Sequence, residues 1–285
     1  MEAEQVIAHI NESQGTAYKI AGRYQGGESG SVFKVVDQSG DRYVLKFGVP
    51  GSAFSPERVI RVTHRLRNLG YPASSYVASG FIDQTAYMLQ KTLVGTPMGS
   101  RVHLSLLPEI LRLNDLQRDE GESSNDEPAR LIRGVMEGYD QWCIIDSLRK
   151  YSDETAAMLD TIQNIVRARA VECPKRADIV HFDFHANNIL IKDGQITGVI
   201  DWEGSGSGDC AFDLATLFFY AYPYRDFRTR LWGELLQRTS RGAAAVYLAH
   251  MIVRQVDWSI RNHDRQIVEN YLRLSRAVFN DIAAL

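Results

Sequence analysis

One short stretch of the chain gathers His181, Asp183, His185, Asn187 and Asn188, and Asp201 and Glu203 follow soon after. The Asp201 carboxylate and the Asn188 amide oxygen are hard donors, the kind Mg²⁺ takes when it also binds the oxygens of a phosphate. Asp183 then remains to accept a proton from a reacting group. A second chemistry is open to the same stretch, because imidazole and carboxylate from His181, Asp183, His185 and Asp201 suit a transition metal in a hydrolase. Either chemistry needs these groups at one place. Residues 189–191 and 196–200 are β-branched-rich runs around Asp193-Gly194, a two-residue hairpin signal. Regular pairing about that turn sets Lys192 opposite Gln195, Ile191 opposite Ile196 and Asn188 opposite Val199. Asp201 then lies two residues past the rung of Asn188, about 7 Å along the strand at the usual rise. The hairpin brings Asn188, Asp201 and the preceding Asp183 segment to one end.

The elements before this block have a different pattern. Val6, Ile7 and Ile10 mark a short helical start, and residues 18–47 turn to glycines between β-prone runs, 31–36 and 42–47, about a Ser39-Gly40 turn. These read as antiparallel strands, with Lys46 closing the apolar run Val44-Leu45. Ser55-Pro56 reads as a helix start, and Val59, Val62, Leu66 and Leu69 keep helical spacing up to Gly70. Residues 76–78 and 86–90 are further strand candidates, and the Gly95-Thr96-Pro97 break divides the chain into 1–94 and 95–285. Beyond it the pattern is helical, clearest over 158–166, 243–258 and 267–279. Residues 114–127 are acidic and rich in Gly, Ser and Asn, so they read as a solvated loop between helices.

His181-Phe182-Asp183, then Asn188, then Ile200-Asp201-Trp202 resembles the core of the aminoglycoside phosphotransferase family, relatives of protein kinases. The resemblance implies a bilobal α+β fold, with an antiparallel β-sheet lobe carrying one main helix and a mostly helical second lobe. It implies Asp183 as catalytic base and Asn188 and Asp201 as Mg²⁺ ligands. Gly27, Ser29, Gly30, Ser31 and Val32 reproduce the second half of the kinase Gly-x-Gly-x-x-Gly-x-Val loop, with Gln25 where the first glycine stands. Lys46 falls where the family places its phosphate-binding lysine. Glu57 either pairs with Lys46 or serves the dipole of its own helix. Gln90, Lys91 and Leu93 correspond to the family hinge, whose backbone binds a purine edge. Asp213 corresponds to the aspartate that braces the catalytic loop, and His181 orients that loop. Phe182 stands where regulated protein kinases have arginine, and Asp-Phe-Gly and Ala-Pro-Glu are missing, which argues against a phosphorylation-switched protein kinase.

Composition sets the outer bounds. The chain has 285 residues, 45% hydrophobic and 24% charged, values of a folded protein with one large domain or two lobes. A net charge of -3 lacks the basic excess of a non-specific nucleic-acid binder. Residues 1–94 are slightly basic and 95–285 acidic, which suits an anionic ligand on the first part and a cationic one on the second. The 3 cysteines fall in no paired spacing and suit a reducing cytoplasm. The start has no signal-peptide pattern, and the longest apolar runs, 212–222 and 242–253, are short of the roughly 20 residues that span a bilayer. The expected function is transfer of the terminal phosphate of ATP or GTP to a hydroxyl of a small cationic molecule, an aminoglycoside or related basic antibiotic. Glu203, Asp257 and Trp258 are the candidate ammonium-binding groups. Macrolides, choline, homoserine and sugars are the alternative acceptors. A non-catalytic nucleotide-binding protein would lose Asp183 or Asp201, and the hydrolase reading leaves the glycine loop and Lys46 unexplained.

Overall fold

The computed structural model describes residues 1–24, 32–48, 55–122, 127–138 and 143–283. The chain divides into two compact units. The first holds Met1–Met98 with Asn187–Ser205, and the second holds Gly99–Ala186 with Gly206–Leu285.

The first unit opens with α1 (Ala3–Gln14), where Glu2 and Gln5 close a capping box. Five strands form one antiparallel sheet: β1 (Lys19–Arg23), β2 (Val32–Val36), β3 (Arg42–Gly48), β4 (Tyr76–Ile82) and β5 (Thr85–Lys91), in the order β1-β2-β3-β5-β4. Strand alternation gives this sheet two distinct faces. Tyr43, Leu45, Tyr87 and Leu89 pack with Val6, Ile7 and Ile10 of α1. Burying each such aliphatic side chain contributes about 1.5–3 kcal/mol. Val44, Lys46, Met88 and Gln90 therefore share the other face. α2 (Pro56–Asn68) buries Val59, Thr63 and Leu66, and Gly70 (φ 82°) ends its last turn in the left-handed region that glycine reaches without strain.

A second, three-stranded sheet joins β6 (Thr96–Pro97) to the hairpin of β8 (Ile189–Lys192) and β9 (Gln195–Val199). β7 (Asp178–Val180) and β10 (Gly206–Gly208), which flank that hairpin in the chain, pair with each other in the second unit. The hairpin is anchored to the first unit by β6, by a parallel bridge from Val199 to Ala73, and by the Val199 N–H donating to the Pro72 carbonyl (2.8 Å). A two-stretch division at 94/95 does not separate it in this way.

The second unit is mostly helical: α3 (Leu107–Asp115), α4 (Glu127–Glu137), α5 (Ile145–Tyr151), α6 (Asp153–Arg169), α7 (Ala211–Tyr220), α8 (Arg225–Arg238), α9 (Arg241–Asn262) and α10 (Arg265–Ala283). α9 is its centre, with Val246, Leu248, Ile252 and Val256 buried and α4 to α8 and α10 packed around it. Residues 114–122 are not the solvated loop that their composition suggests. Asn114 and Gln117 are fully buried, Gln117 donates to the Ile179 carbonyl of β7, and the Asp119 and Gly121 N–H groups donate to the Asp178 carboxylate and the Ala177 carbonyl. The acids point outward from a segment whose backbone is held by β7. Among the described residues no helix is long and apolar enough to cross a membrane.

Candidate active site

In the first unit the β3 alternation turns Lys46 away from α1, and its ammonium meets two carboxylates. Nζ lies 2.7 Å from Asp201 Oδ1 and 2.7 Å from Glu203 Oε1. Burial works to lower the Lys46 pKa, but Asp201 and then Glu203 outweigh it and hold the ammonium charged. Burial raises the Glu203 carboxyl well above its ordinary value, and Asp201 pushes the same way against Lys46. Asp201 adopts left-handed backbone (φ 73°), which aims its half-exposed carboxylate at Lys46 and starts the tight turn Trp202–Gly204. That turn is fixed by the buried Trp202 indole, which donates to the Val199 carbonyl (2.9 Å), and by Tyr71, whose ring meets it edge-on.

Two expectations change here. The acid that meets Lys46 does not come from α2. Glu57 is exposed in the first turn of that helix, and α2 instead sends Arg58 to the Glu203 carbonyl (2.8 Å), bracing the turn that carries the lysine's partners. The hairpin register also slips. Lys192 faces Gln195 and Ile191 faces Ile196, but Leu190 then faces Gly198 and Ile189 faces Val199. Thr197 is the extra residue of a β-bulge, and its hydroxyl donates to the Val94 carbonyl (2.5 Å). Asn188 consequently pairs with Ile200, whose N–H donates to its carbonyl (3.0 Å). Asp201 is one residue past that rung rather than two.

In the second unit Asp183 sits on a segment held from below by Asp213, in the first turn of α7. The fully buried Asp213 carboxylate accepts from the N–H groups of His181 (2.8 Å) and Phe182 (3.0 Å) and from the Gln117 amide (2.7 Å). Burial raises its pKa to about 7, against these donors. The His181 ring is buried, and its Nδ1 accepts the Asp183 N–H (3.2 Å). Phe182 between them has φ 64°, a conformation that costs a non-glycine residue about 1–3 kcal/mol and persists only where the surroundings enforce it. The Asp183 carboxylate meets Arg254 of α9 (Nη2 to Oδ1, 2.8 Å) and His185 (Nε2 to Oδ2, 3.3 Å). Burial alone would raise this carboxyl. Arg254, His185 and His181 reverse that and keep it ionised far below the usual carboxylate range.

The other expected residues divide. Gly27, Ser29, Gly30 and Ser31 lie outside the described residues, and Val32 stands opposite Lys46 in the β2–β3 register. Gln90 is buried at the end of β5. The Lys91 and Thr92 N–H groups are used on the Ser75 and Arg42 carbonyls, and the Leu93 side chain lies so close to the hairpin that a Cβ at Gly198 would come within 2.7 Å of it. The three ammonium-binding candidates each have a partner within the protein. Glu203 is taken by Lys46. Asp257 is fully buried, with both oxygens bonded to Arg261 and with the Ser147 hydroxyl and Ile144 N–H donating to it, so it anchors helices. The Trp258 ring already has the Arg261 guanidinium over it at 5.5 Å. Sequence reasoning missed Arg254 and Gln117. Arg254 had a signal, a cation inside the otherwise apolar centre of α9. Gln117 had none.

For the hydrolase chemistry, the ligating atoms that come together among the described residues are those of Asp178, Asp209 and Cys210, not the His181–His185 group. They are already used, on the Asp119, Cys210 and Ala211 N–H groups, the Thr239 and Tyr247 hydroxyls and the Asn114 carbonyl.

The sequence profile of the phosphotransferase enzyme family matches residues 21–251. The chain belongs to that family. It is a phosphotransferase, and the hydrolase reading lapses. A 51-residue stretch is 43% identical to hygromycin-B 4-O-kinase of Escherichia coli, covering 18% of this chain and 15% of that protein's length. Among solved structures, aminoglycoside phosphotransferase APH(4)-Ia in a ternary complex with AMP-PNP and hygromycin B superposes with TM-score 0.72 at 17% identity, over 96% of this chain and 97% of that one. Choline kinase LicA from Streptococcus pneumoniae superposes with TM-score 0.61 at 14% identity, over 96% and 99%. These likenesses show the protein-kinase-like fold: an antiparallel sheet in the first unit and a helical second unit.

Proposed function

We propose that this enzyme transfers the terminal phosphate of ATP or GTP to a hydroxyl of a small cationic molecule, an aminoglycoside or related basic antibiotic. The observation that carries the nucleotide half is the Lys46 ammonium at 2.7 Å from Asp201, two residues far apart in the chain, with Asn188 on the neighbouring rung. Lys46, held in place by Asp201 and Glu203, neutralises phosphate oxygens. Two carboxylates against one ammonium leave an excess of negative charge, and the oxygen donors of Asp201 and Asn188 fit Mg²⁺ rather than a softer ion. When bound, Mg²⁺ supplies charge neutralisation on the phosphates. The Lys91 and Thr92 N–H groups donate to the Ser75 and Arg42 carbonyls, and the purine edge is therefore assigned to the Leu93 backbone that follows them.

Asp183 is the proton acceptor. The acceptor O–H bond breaks with its proton going to the carboxylate, and the oxygen forms the new bond to the terminal phosphorus as the bridging P–O bond breaks, releasing the nucleoside diphosphate. Asp213 and His181 fix the loop so that this carboxylate arrives oriented, and orientation is where most of the rate gain in such a reaction arises.

For the acceptor, support comes from relatives whose names carry hygromycin B and choline, both cationic alcohols, and from the acidic balance of residues 95–285. Three free cysteines suit a reducing cytoplasm. A coupled nucleotide-consumption screen with ATP and GTP tests the reading against aminoglycosides, basic cyclic peptides, macrolides, choline, homoserine and sugars. Turnover on aminoglycosides supports it; a response to a metabolic alcohol alone overturns the antibiotic assignment.

A further inference from the structure

We propose that Arg254 is a positioning residue for phosphotransfer, a planar clamp from α9 that fixes the orientation of the Asp183 carboxylate. The inference rests on the reading of Asp183 as base and adds a residue that the catalytic segment itself does not contain. One guanidinium makes two bonds to consecutive residues: Nη1 donates to the Phe182 carbonyl and Nη2 donates to Asp183 Oδ1 at 2.8 Å. A planar fork of fixed donors sets the orientation of what it holds in a way a lysine ammonium cannot.

The clamp acts at the strained point of the loop. Phe182 has left-handed backbone, its N–H is held by Asp213 and its carbonyl by Arg254, so α7 and α9 grip the same residue from its two ends. Arg254 itself is rigid, with its side chain only 15% exposed and Val253 and Val256 buried beside it. Arg254 holds Oδ1 and His185 Nε2 lies 3.3 Å from Oδ2, so partners on both oxygens set the plane of the carboxylate. The charged groups facing Asp183 are Arg254 from α9, His181 and His185 from its own segment and Asp213 from α7, with Tyr220 of α7 close to Arg254. Burial opposes ionisation of Asp183; Arg254 is the largest influence in its favour.

The test compares Arg254→Met and Arg254→Lys with the wild type in single-turnover transfer across pH, with nucleotide KM and thermal melting measured alongside. Arg254→Met is expected to lose about tenfold or more in rate with nucleotide KM within about twofold. Its acid limb should move upward by about one pH unit or more, because burial persists without the cation. Arg254→Lys restores the charge but not the fork, so its acid limb should stay near the wild-type position while the rate remains about threefold or more below it. A merely structural arginine would change melting and leave the acid limb in place. Wild-type rate and acid limb in a folded Arg254→Met overturn the proposal. If that variant does not melt cooperatively, wild-type rate in Arg254→Lys overturns the clamp. Asp183→Asn separates the two levels: if it keeps single-turnover transfer, the base assignment itself fails, and if it is inactive while Arg254→Met is unchanged, only the clamp fails.

Discussion

The two charged clusters are built on opposite balances. In the first unit one ammonium, Lys46, serves two carboxylates, Asp201 and Glu203, so anionic charge is in excess. In the second unit one carboxylate, Asp183, is met by a guanidinium and an imidazole. Under the proposed function, the first arrangement takes a further cation and, through Lys46, the phosphates that travel with it. The second leaves no surplus negative charge to attract an amine, which is consistent with the proposed role of Asp183 as a proton acceptor. Both clusters use a non-glycine residue in left-handed backbone, Asp201 in one and Phe182 in the other, to aim a carboxylate out of the regular path of the chain.

The contrast can be broken by exchange of single groups. Asp183→Asn should cut single-turnover transfer by about 10²–10⁴ while leaving nucleotide binding intact, as expected for a positioned base. Lys46→Met leaves Asp201 and Glu203 facing each other without a cation, and loss of one partner of a buried ion pair costs about 3–5 kcal/mol, which a lowered melting temperature and weakened nucleotide binding would report. Asp257→Ala should cost about 1–3 kcal/mol of stability through the orphaned donors of Ser147 and Ile144. Acceptor KM should stay unchanged in the folded fraction; a raised acceptor KM would return Asp257 to the binding site.

Smaller effects sharpen the same comparison. Glu203→Gln should raise nucleotide KM about tenfold, the scale of a lost charge-assisted contact, and Glu57→Gln should leave it within about twofold. The reverse result would restore α2 as the source of the lysine's partner. Finally, the Asp183 pKa is held below its ordinary 3.8 in the folded protein, so the pair with Arg254 stabilises fully above about pH 4 and is lost only as pH falls through the folded value. In Arg254→Met burial pushes that pKa above 3.8, and ionisation then penalises folding as pH rises. The gap in melting temperature between the two proteins should widen from about pH 4 to pH 7.

What could be read from the sequence was what depends on local pattern. Apolar spacing located α1, α6, α9 and α10, and the Asp193-Gly194 turn located the hairpin. The order of Lys46, Asp183, Asn188 and Asp201 gave the family. What could not be read depends on long-range contacts. Regular pairing cannot anticipate a bulge at Thr197, because the residue that makes it worthwhile, Val94, is remote in sequence. Glu57 was one candidate partner of Lys46 because it is the only acid between Phe47 and Ile82, whereas Glu203 is near only through folding. Residues 114–122 looked solvated because composition counts side chains, and it is the backbone there that β7 holds.

The extra residue at Thr197 ties the hairpin to the segment that follows β5. Removing Thr197 would leave Leu190 opposite Gly198, Ile189 opposite Val199 and Asn188 opposite Ile200, as now, and would lose the bulge and its hydroxyl bond to the Val94 carbonyl. A deletion of that single threonine is thus predicted to keep the rung that carries Asn188 and to lower stability through the lost tie to Val94, while Thr197→Ser, which keeps the hydroxyl, is tolerated.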